Sequence, residues 1–221
     1  MSVPLIALSS YIANALTTFP LIASYETPWS IVAHSTELVR AMLPTLGPEY
    51  ATAGEVAVHR TAVVEAGAVL RAPAIVSRGC IVAAHAYLRG GVFLDEGVRI
   101  GPSCEVKGSF VFRESKLAHL NYVGDSLIGA DVNLEAGAVI ANHFNERSDR
   151  QISVLIGNRV VPTGVEKFGA LLGDGSRIGA NAVTTPGTIL SPRSIVGRLA
   201  LIDQVGEFEA RQRDTPPGDS R

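Results

Sequence analysis

Between Lys116 and His143 the sequence gathers polar side chains in an otherwise apolar chain, among them His119, Tyr122, Asn133, Asn142 and His143. An imidazole with an ordinary pKa near 6.5 can accept a proton at neutral pH, which suits His119 to general-base work. Upstream, Arg89 and Lys107 stand eighteen residues apart. In a chain that repeats every eighteen residues they would stack at one corner and offer two cations to a phosphate dianion. His85, His119 and His143 are thirty-four and twenty-four residues apart, without the short pairing typical of metal ligands, so no metal site is expected.

The elements that must position these groups follow from a repeat. Aliphatic residues recur at every sixth position from Val58 through Val64, Leu70, Val76, Val82, Leu88, Leu94, Ile100 and Val106, with Phe112 closing the series. Smaller residues such as Ala62, Ala68, Ala74, Cys80, Ala86 and Cys104 sit two positions earlier, on the same side of an extended strand. The series resumes at Leu172, Ile178, Thr184, Leu190, Val196 and Ile202. A helix needs a period near 3.6 and a lone strand a period of 2, so a period of six selects neither. Hexapeptide repeats build parallel β-helices, three hexads to a triangular turn. On that scheme Val58, Val76, Leu94 and Phe112 stack, and Cys80 and Cys104 fill core positions on different faces. Between Phe112 and Leu172 the rhythm fails apart from Ile128, Leu134 and Ile140, and breaks in a regular pattern tend to mark functional sites.

Three regions are expected. Residues 1–50 lack hexads and form a helical cap: Thr27-Pro28 reads as an N-cap with proline at the first helical position, and apolar residues follow at helical spacing from Ile31 to Leu43 until Pro44. This helix is expected to close one end of the solenoid. Residues 51–208 form the coil, and residues 209–221, charged and carrying Pro216-Pro217-Gly218, form a disordered tail. Hydrophobic residues make up 47% of the chain but aromatic ones only 6%, a balance that suits a thin coil of small and aliphatic layers. The net charge of −2 gives no basic footprint for nucleic acid. No stretch has the roughly 18 uncharged apolar residues of a membrane span, and no basic leader precedes Arg40, so a cytoplasmic location is expected.

Hexads such as Ile100-Gly101-Pro102-Ser103-Cys104-Glu105 and Ile178-Gly179-Ala180-Asn181-Ala182-Val183 resemble those of left-handed parallel β-helix acyltransferases. The run from His119 through Tyr122-Val-Gly124-Asp125, Ile128-Gly129, Val132-Asn133 and Ala136-Gly137, with Asn142 following, is similar to the acetyltransferase domain of bifunctional N-acetylglucosamine-1-phosphate uridyltransferases. Thr163-Gly164 to Gly173-Asp174 is closer to archaeal-type sugar-phosphate nucleotidylyltransferases. The resemblance implies an all-β, left-handed parallel β-helix that forms a homotrimer with active sites between subunits. It also implies transfer of acetyl from acetyl-CoA to the amine of a hexosamine 1-phosphate or nucleotide-linked amino sugar.

Carried over by position, His119 is the general base and Asn142 lies by the thioester. Arg89 and Lys107 hold the sugar phosphate, and Tyr122, Asn133 and His143 fall at acceptor contacts. Ala136, Gly169 and Ala170 fall near the acetyl-CoA. Asn133 and Asn142 have an equal claim as a structural ladder at coil corners, where asparagine tolerates a left-handed backbone. No Gly-rich nucleotide signature precedes residue 27, so pyrophosphorylase activity is not expected. His143 replaces a family tyrosine, and the loop from Asn142 to Ile156 lacks a clear counterpart of an acceptor-site lysine. Two rival functions stay open: an acyltransferase fed by acyl carrier protein, and a non-catalytic trimer.

Overall fold

The computed structural model describes residues 6–214. From Val56 to Ile202 the chain winds through seven coils, each laying one short strand in each of three parallel sheets, A, B and C. The coil is a left-handed parallel β-helix. Sheet A gains an eighth strand, Tyr50–Ala53, antiparallel to Val56–His59. The aliphatic members of the hexads point inward and form one continuous core from Val76 to Val196, with Cys80 and Cys104 buried in it. Burial pushes the Cys80 thiol up to about 12, so it remains a protonated filler.

Two features of the hexad have physical causes. The glycine after the aliphatic residue is needed because neighbouring coils approach too closely for a side chain. A Cβ on Gly101 would collide with the carbonyl oxygen of Ala118, and one on Gly179 would lie 2.5 Å from the amide nitrogen of Arg198. At the corner between sheets B and C, every coil turns through one left-handed residue: Gly67, His85, Ser103, Leu120, Gly137, Asn181 and Leu199, with φ between 54° and 87°.

The rhythm does not fail after Val106. The inward series continues as Val111, Leu117, Val123, Ile128, Leu134 and Ile140, because two steps, 106 to 111 and 123 to 128, are five residues long. Leu94 therefore pairs with Val111, and Phe112 is not the interior member of the stack. It is buried in a second cluster outside sheet A. After Ile140 the chain leaves the coil and returns at Ala170, carrying the hairpin Ser153–Ile156 and Arg159–Pro162.

That second cluster explains the N-terminal region. The outward residues of sheet A form a register column of Ala57, Ile75, Phe93, Phe110, Leu127, Leu171 and Ile189, each buried. An apolar column of this kind needs a cover. Tyr11 and Ala13 are hydrogen-bonded to Asp174 in the sixth coil. Phe19 follows α1 (Ala15–Thr18) and sits 5.0 Å, centroid to centroid, from both Phe93 and Phe110. Helices α2 (Pro28–Ala33) and α3 (Ser35–Met42) continue along the sheet, α3 against strands Ala74–Val76 and Val92–Leu94. The helical segment thus covers the flank of sheet A rather than an end of the solenoid.

The expected N-cap is present, with reciprocal hydrogen bonds between Thr27 and Ser30. The expected single helix breaks at His34, whose ψ of 20° is not helical. At the other end, helix α4 (Gln204–Asp214) takes in 204–208, expected in the coil, and 209–214, expected in a disordered tail, while 215–221 lie outside the described residues. Its Gln204 side chain exchanges two 2.8 Å hydrogen bonds with the backbone of Ile189, and so covers the free edge of sheet A.

Candidate active site on the outer face of sheet C

Sheet C carries the polar groups. Its outward residues Tyr87, Glu105 and Tyr122 are in register, and two positions further along so are Arg89, Lys107 and Gly124. Arg89 and Lys107 therefore do stack in adjacent coils. Neither cation is free. Arg89 meets Glu105 at 2.7 Å, and Lys107 donates to both Asp125 oxygens at 2.7 and 2.5 Å. The second pair is the more enclosed, with side-chain exposures of 18% and 11%.

Asp125 also accepts a hydrogen bond from the Asn142 amide, whose oxygen accepts from the Tyr122 hydroxyl at 3.2 Å. A continuous network results: Lys107, Asp125, Asn142, Tyr122. Burial, with the carboxylates of Asp125 and Glu105 behind it, raises the Tyr122 pKa and keeps the phenol protonated as a donor. Gly124 permits this approach, since a Cβ there would lie 2.6 Å from Asn142 Cγ and 2.7 Å from the Tyr122 oxygen.

His119 stands at the opposite edge of the same face, on the corner between sheets B and C, three residues before Tyr122. Its side chain is exposed and has no hydrogen-bond partner among the described residues. Ala136 is half-buried one coil above: Gly137 donates its N–H to the His119 carbonyl oxygen at 2.9 Å.

Several expected residues lie elsewhere. Asn133 is on the outer face of sheet B, between Lys116 and Arg177 in register, beside an open groove of about 520 Å³. A structural asparagine ladder does not form, because neither Asn133 nor Asn142 stacks on another asparagine. His143 is half-buried and tied through Nδ1 to the Glu166 carbonyl oxygen at 3.1 Å. Gly169 and Ala170, expected near the coenzyme, are buried structural residues. Gly169 N–H donates to the Asp125 carbonyl oxygen at 2.9 Å, while Ala170 is fully enclosed in the coil and donates to Ser126 Oγ at 3.0 Å.

Asp125 and Glu105 are the functional candidates that sequence reasoning missed. The signal existed for Asp125, which follows Lys107 by the same eighteen residues that separate Lys107 from Arg89. On the far side of Lys107 from His119, α2, α3 and residues 165–167 border an open cavity of about 560 Å³ with Lys107 and Asp125 in its wall. Among the described residues no group of three or more His, Cys, Asp and Glu side chains could hold a metal ion, and no helix is long and apolar enough to cross a membrane.

No family model matches the chain. It is 36% identical over 126 residues to the bifunctional protein GlmU of Methanococcus vannielii, an alignment covering 57% of this chain and 30% of that protein. It is 37% identical over 128 residues to the bifunctional sugar-1-phosphate nucleotidylyltransferase/acetyltransferase of Sulfurisphaera tokodaii, covering 56% and 31%. The chain thus matches less than a third of these relatives' length. The Escherichia coli protein named "putative uncharacterized acetyltransferase YaiX" is 29% identical over 172 residues, covering 76% of this chain and 74% of that one. Among solved structures, the N-acyltransferase AntD of Bacillus cereus, a point mutant in complex with dTDP and coenzyme A, aligns at TM-score 0.36 and 10% identity over 70% of this chain and 80% of that one. The chain is a hexapeptide-repeat β-helix that resembles, over its matched residues, the bifunctional sugar-1-phosphate enzymes.

Proposed function

We propose that the chain is an N-acetyltransferase that moves acetyl from acetyl-CoA to the amine of a hexosamine 1-phosphate or a nucleotide-linked amino sugar. The observation that carries the reading is the stack of Arg89 and Lys107 on the outer face of sheet C, with the unpartnered His119 imidazole at the edge of the same face. The acetyltransferase activity named for the Sulfurisphaera tokodaii relative agrees with this reading.

In this mechanism the phosphate exchanges with Glu105 and Asp125 for the two cations, so the acceptor arrives at a site whose side chains are already placed. Tyr122 contacts the acceptor, and Asn142, matched by position to the thioester, instead holds the Tyr122 hydroxyl and Asp125 in place. The free amine forms a bond to the thioester carbonyl carbon as His119 removes its proton, and the carbon–sulfur bond then breaks to release coenzyme A as the thiol. The reading includes a homotrimer with sites between subunits, in which Asn133, on the outer face of sheet B, meets the acceptor bound to a neighbouring copy.

The test is thiol release from acetyl-CoA with glucosamine 1-phosphate and galactosamine 1-phosphate. His119→Ala should lose roughly 10²–10⁴-fold in rate, the usual worth of a general base. Equal slow release by wild type and variant across a broad amine panel would refute the assignment.

A further inference from the structure

The open cavity beside Lys107 extends past the cation assigned to the sugar phosphate. If the amine faces His119 and the phosphate meets Lys107, the sugar lies along sheet C and the cavity opens beyond the phosphate. Its volume of about 560 Å³ falls within the roughly 300–1,000 Å³ of small-molecule sites. The coil alone does not make it. Two of its walls come from α2–α3 and from residues 165–167 of the segment inserted between the fifth and sixth coils.

The lining is mixed in a way that limits the ligand. Lys107 and Lys167 supply cations, and Lys167 is exposed with no ion pair among the described residues. Asp125, Glu166 and Thr36 can bond hydroxyl groups, whereas Val32, Ala33 and Val165 form an apolar wall. Such a site suits an anionic group joined to a hydroxyl-bearing body with an apolar face.

We infer that this cavity receives the nucleoside diphosphate portion of a nucleotide-linked amino sugar, with Lys107 and Lys167 on the diphosphate. The inference rests on the proposed acetyl transfer and selects between its two acceptor classes. Lys107 then serves both parts of the acceptor, because it faces the sugar phosphate on sheet C and also lines the cavity.

Calorimetric titration of the whole chain with UDP, dTDP, GDP, glucosamine 1-phosphate and coenzyme A separates the possibilities. At least one nucleoside diphosphate should bind tighter than glucosamine 1-phosphate. Lys167→Ala, an exposed substitution, should weaken that nucleotide about 10-fold, the loss expected for one charge-assisted hydrogen bond, while leaving glucosamine 1-phosphate unchanged. Ala33→Trp, at the exposed rim, should block the nucleotide in the same selective way. The inference fails if no nucleoside diphosphate binds, if neither substitution changes its affinity, or if both substitutions weaken coenzyme A instead. These results are independent of turnover: acetyl transfer to glucosamine 1-phosphate without nucleotide binding would sink this inference alone. Lys167-dependent nucleotide binding without acetyl transfer to any amine would sink the functional reading alone.

Discussion

Asp125 holds the candidate site together, so its removal gives the most direct test of the geometry. The carboxylate accepts two hydrogen bonds from Lys107 and one from Asn142. Asp125→Ala leaves an ammonium without its counter-charge and an amide that is only 9% exposed without its acceptor. Breaking a buried ion pair by deleting one partner costs about 3–5 kcal/mol, and orphaning a buried donor about 1–3 kcal/mol. Lys107 retains 18% side-chain exposure, so water can recover part of this, and the net loss should be about 2–3 kcal/mol. For a chain of this size that lowers Tm by about 4–12 °C. Urea unfolding followed by far-ultraviolet circular dichroism measures it. Asp125→Asn, which keeps an acceptor oxygen for Lys107, should lose less and should bind inorganic phosphate more tightly than wild type, because the lysine charge is no longer neutralised. A loss below about 0.5 kcal/mol in Asp125→Ala, the size of an ordinary surface change, together with unchanged phosphate affinity in Asp125→Asn, would refute the network.

Other expectations follow from single contacts. Phe110→Ala removes a fully buried ring that meets Phe19 at 5.0 Å and should cost about 3–5 kcal/mol in urea unfolding, with faster proteolysis in the N-terminal segment that it anchors. Thr184 occupies an aliphatic position of the coil, in register with Ile140 and Ile202, and its hydroxyl has no hydrogen-bond partner among the described residues. Thr184→Val should therefore stabilise the fold by about 1 kcal/mol, and a loss of stability would contradict that placement. The Arg198 hydrogen bond, then the Ala180 N–H, lower the Glu135 pKa to about 2. Because the folded value lies below the unfolded one, the carboxylate favours the folded state above about pH 4.5, and that contribution disappears as the pH falls toward 2. A carboxyl NMR titration with a midpoint near 4.5 would show that the Arg198 contact is absent in solution.

How far the sequence leads depends on which force sets each element. The inward hexad positions read directly, because a thin coil tolerates only small and aliphatic side chains there, and Val76, Val82 and Leu88 lie where the period puts them. Thr27 caps its helix as its neighbours predict, since capping is local. The five-residue steps were illegible to a strict period of six, which placed Phe112 in the coil instead of Val111. The outward column Ile75, Phe93, Phe110 was present one position before the inward residues, and it announced a covered flank. Its meaning depended on register, however, and the shortened steps hid the register. For the site, the eighteen-residue spacing stacked Arg89 and Lys107 correctly, but it said nothing of the carboxylates that neutralise them. Those depend on side-chain reach across coils. The burial of Gly169 and Ala170 was likewise invisible, because the length of the excursion does not say where the chain re-enters the coil.

The irregular corners and the polar network have a common cause. Both five-residue steps fall at the corner between sheets C and A, at Gly108-Ser109 and Asp125-Ser126, and the excursion after Ile140 leaves from the same corner one coil later. In each shortened corner a buried serine replaces the missing peptide group. Ser109 Oγ donates to the Lys107 carbonyl oxygen at 2.7 Å and accepts the Ser126 N–H at 3.0 Å. Ser126 Oγ donates to the Gly124 carbonyl oxygen at 2.6 Å and accepts the Ala170 N–H at 3.0 Å. These bonds hold the backbone of Lys107 and Gly124, so they also fix where Lys107 meets Asp125 and where Tyr122 meets Asn142. Ser126→Ala leaves a buried N–H and a buried carbonyl each short of a partner, at an expected cost of about 2–4 kcal/mol. It should also loosen phosphate binding at Lys107, although Ser126 lies wholly inside the coil. Ser109→Ala orphans the Ser126 N–H alone, because the Lys107 carbonyl oxygen keeps the Asp125 N–H at 2.7 Å, and should cost about 1–3 kcal/mol. If Ser126→Ala lowers stability but leaves phosphate affinity unchanged, the shortened corner supports the fold alone, and the placement of Lys107 and Asp125 owes nothing to it.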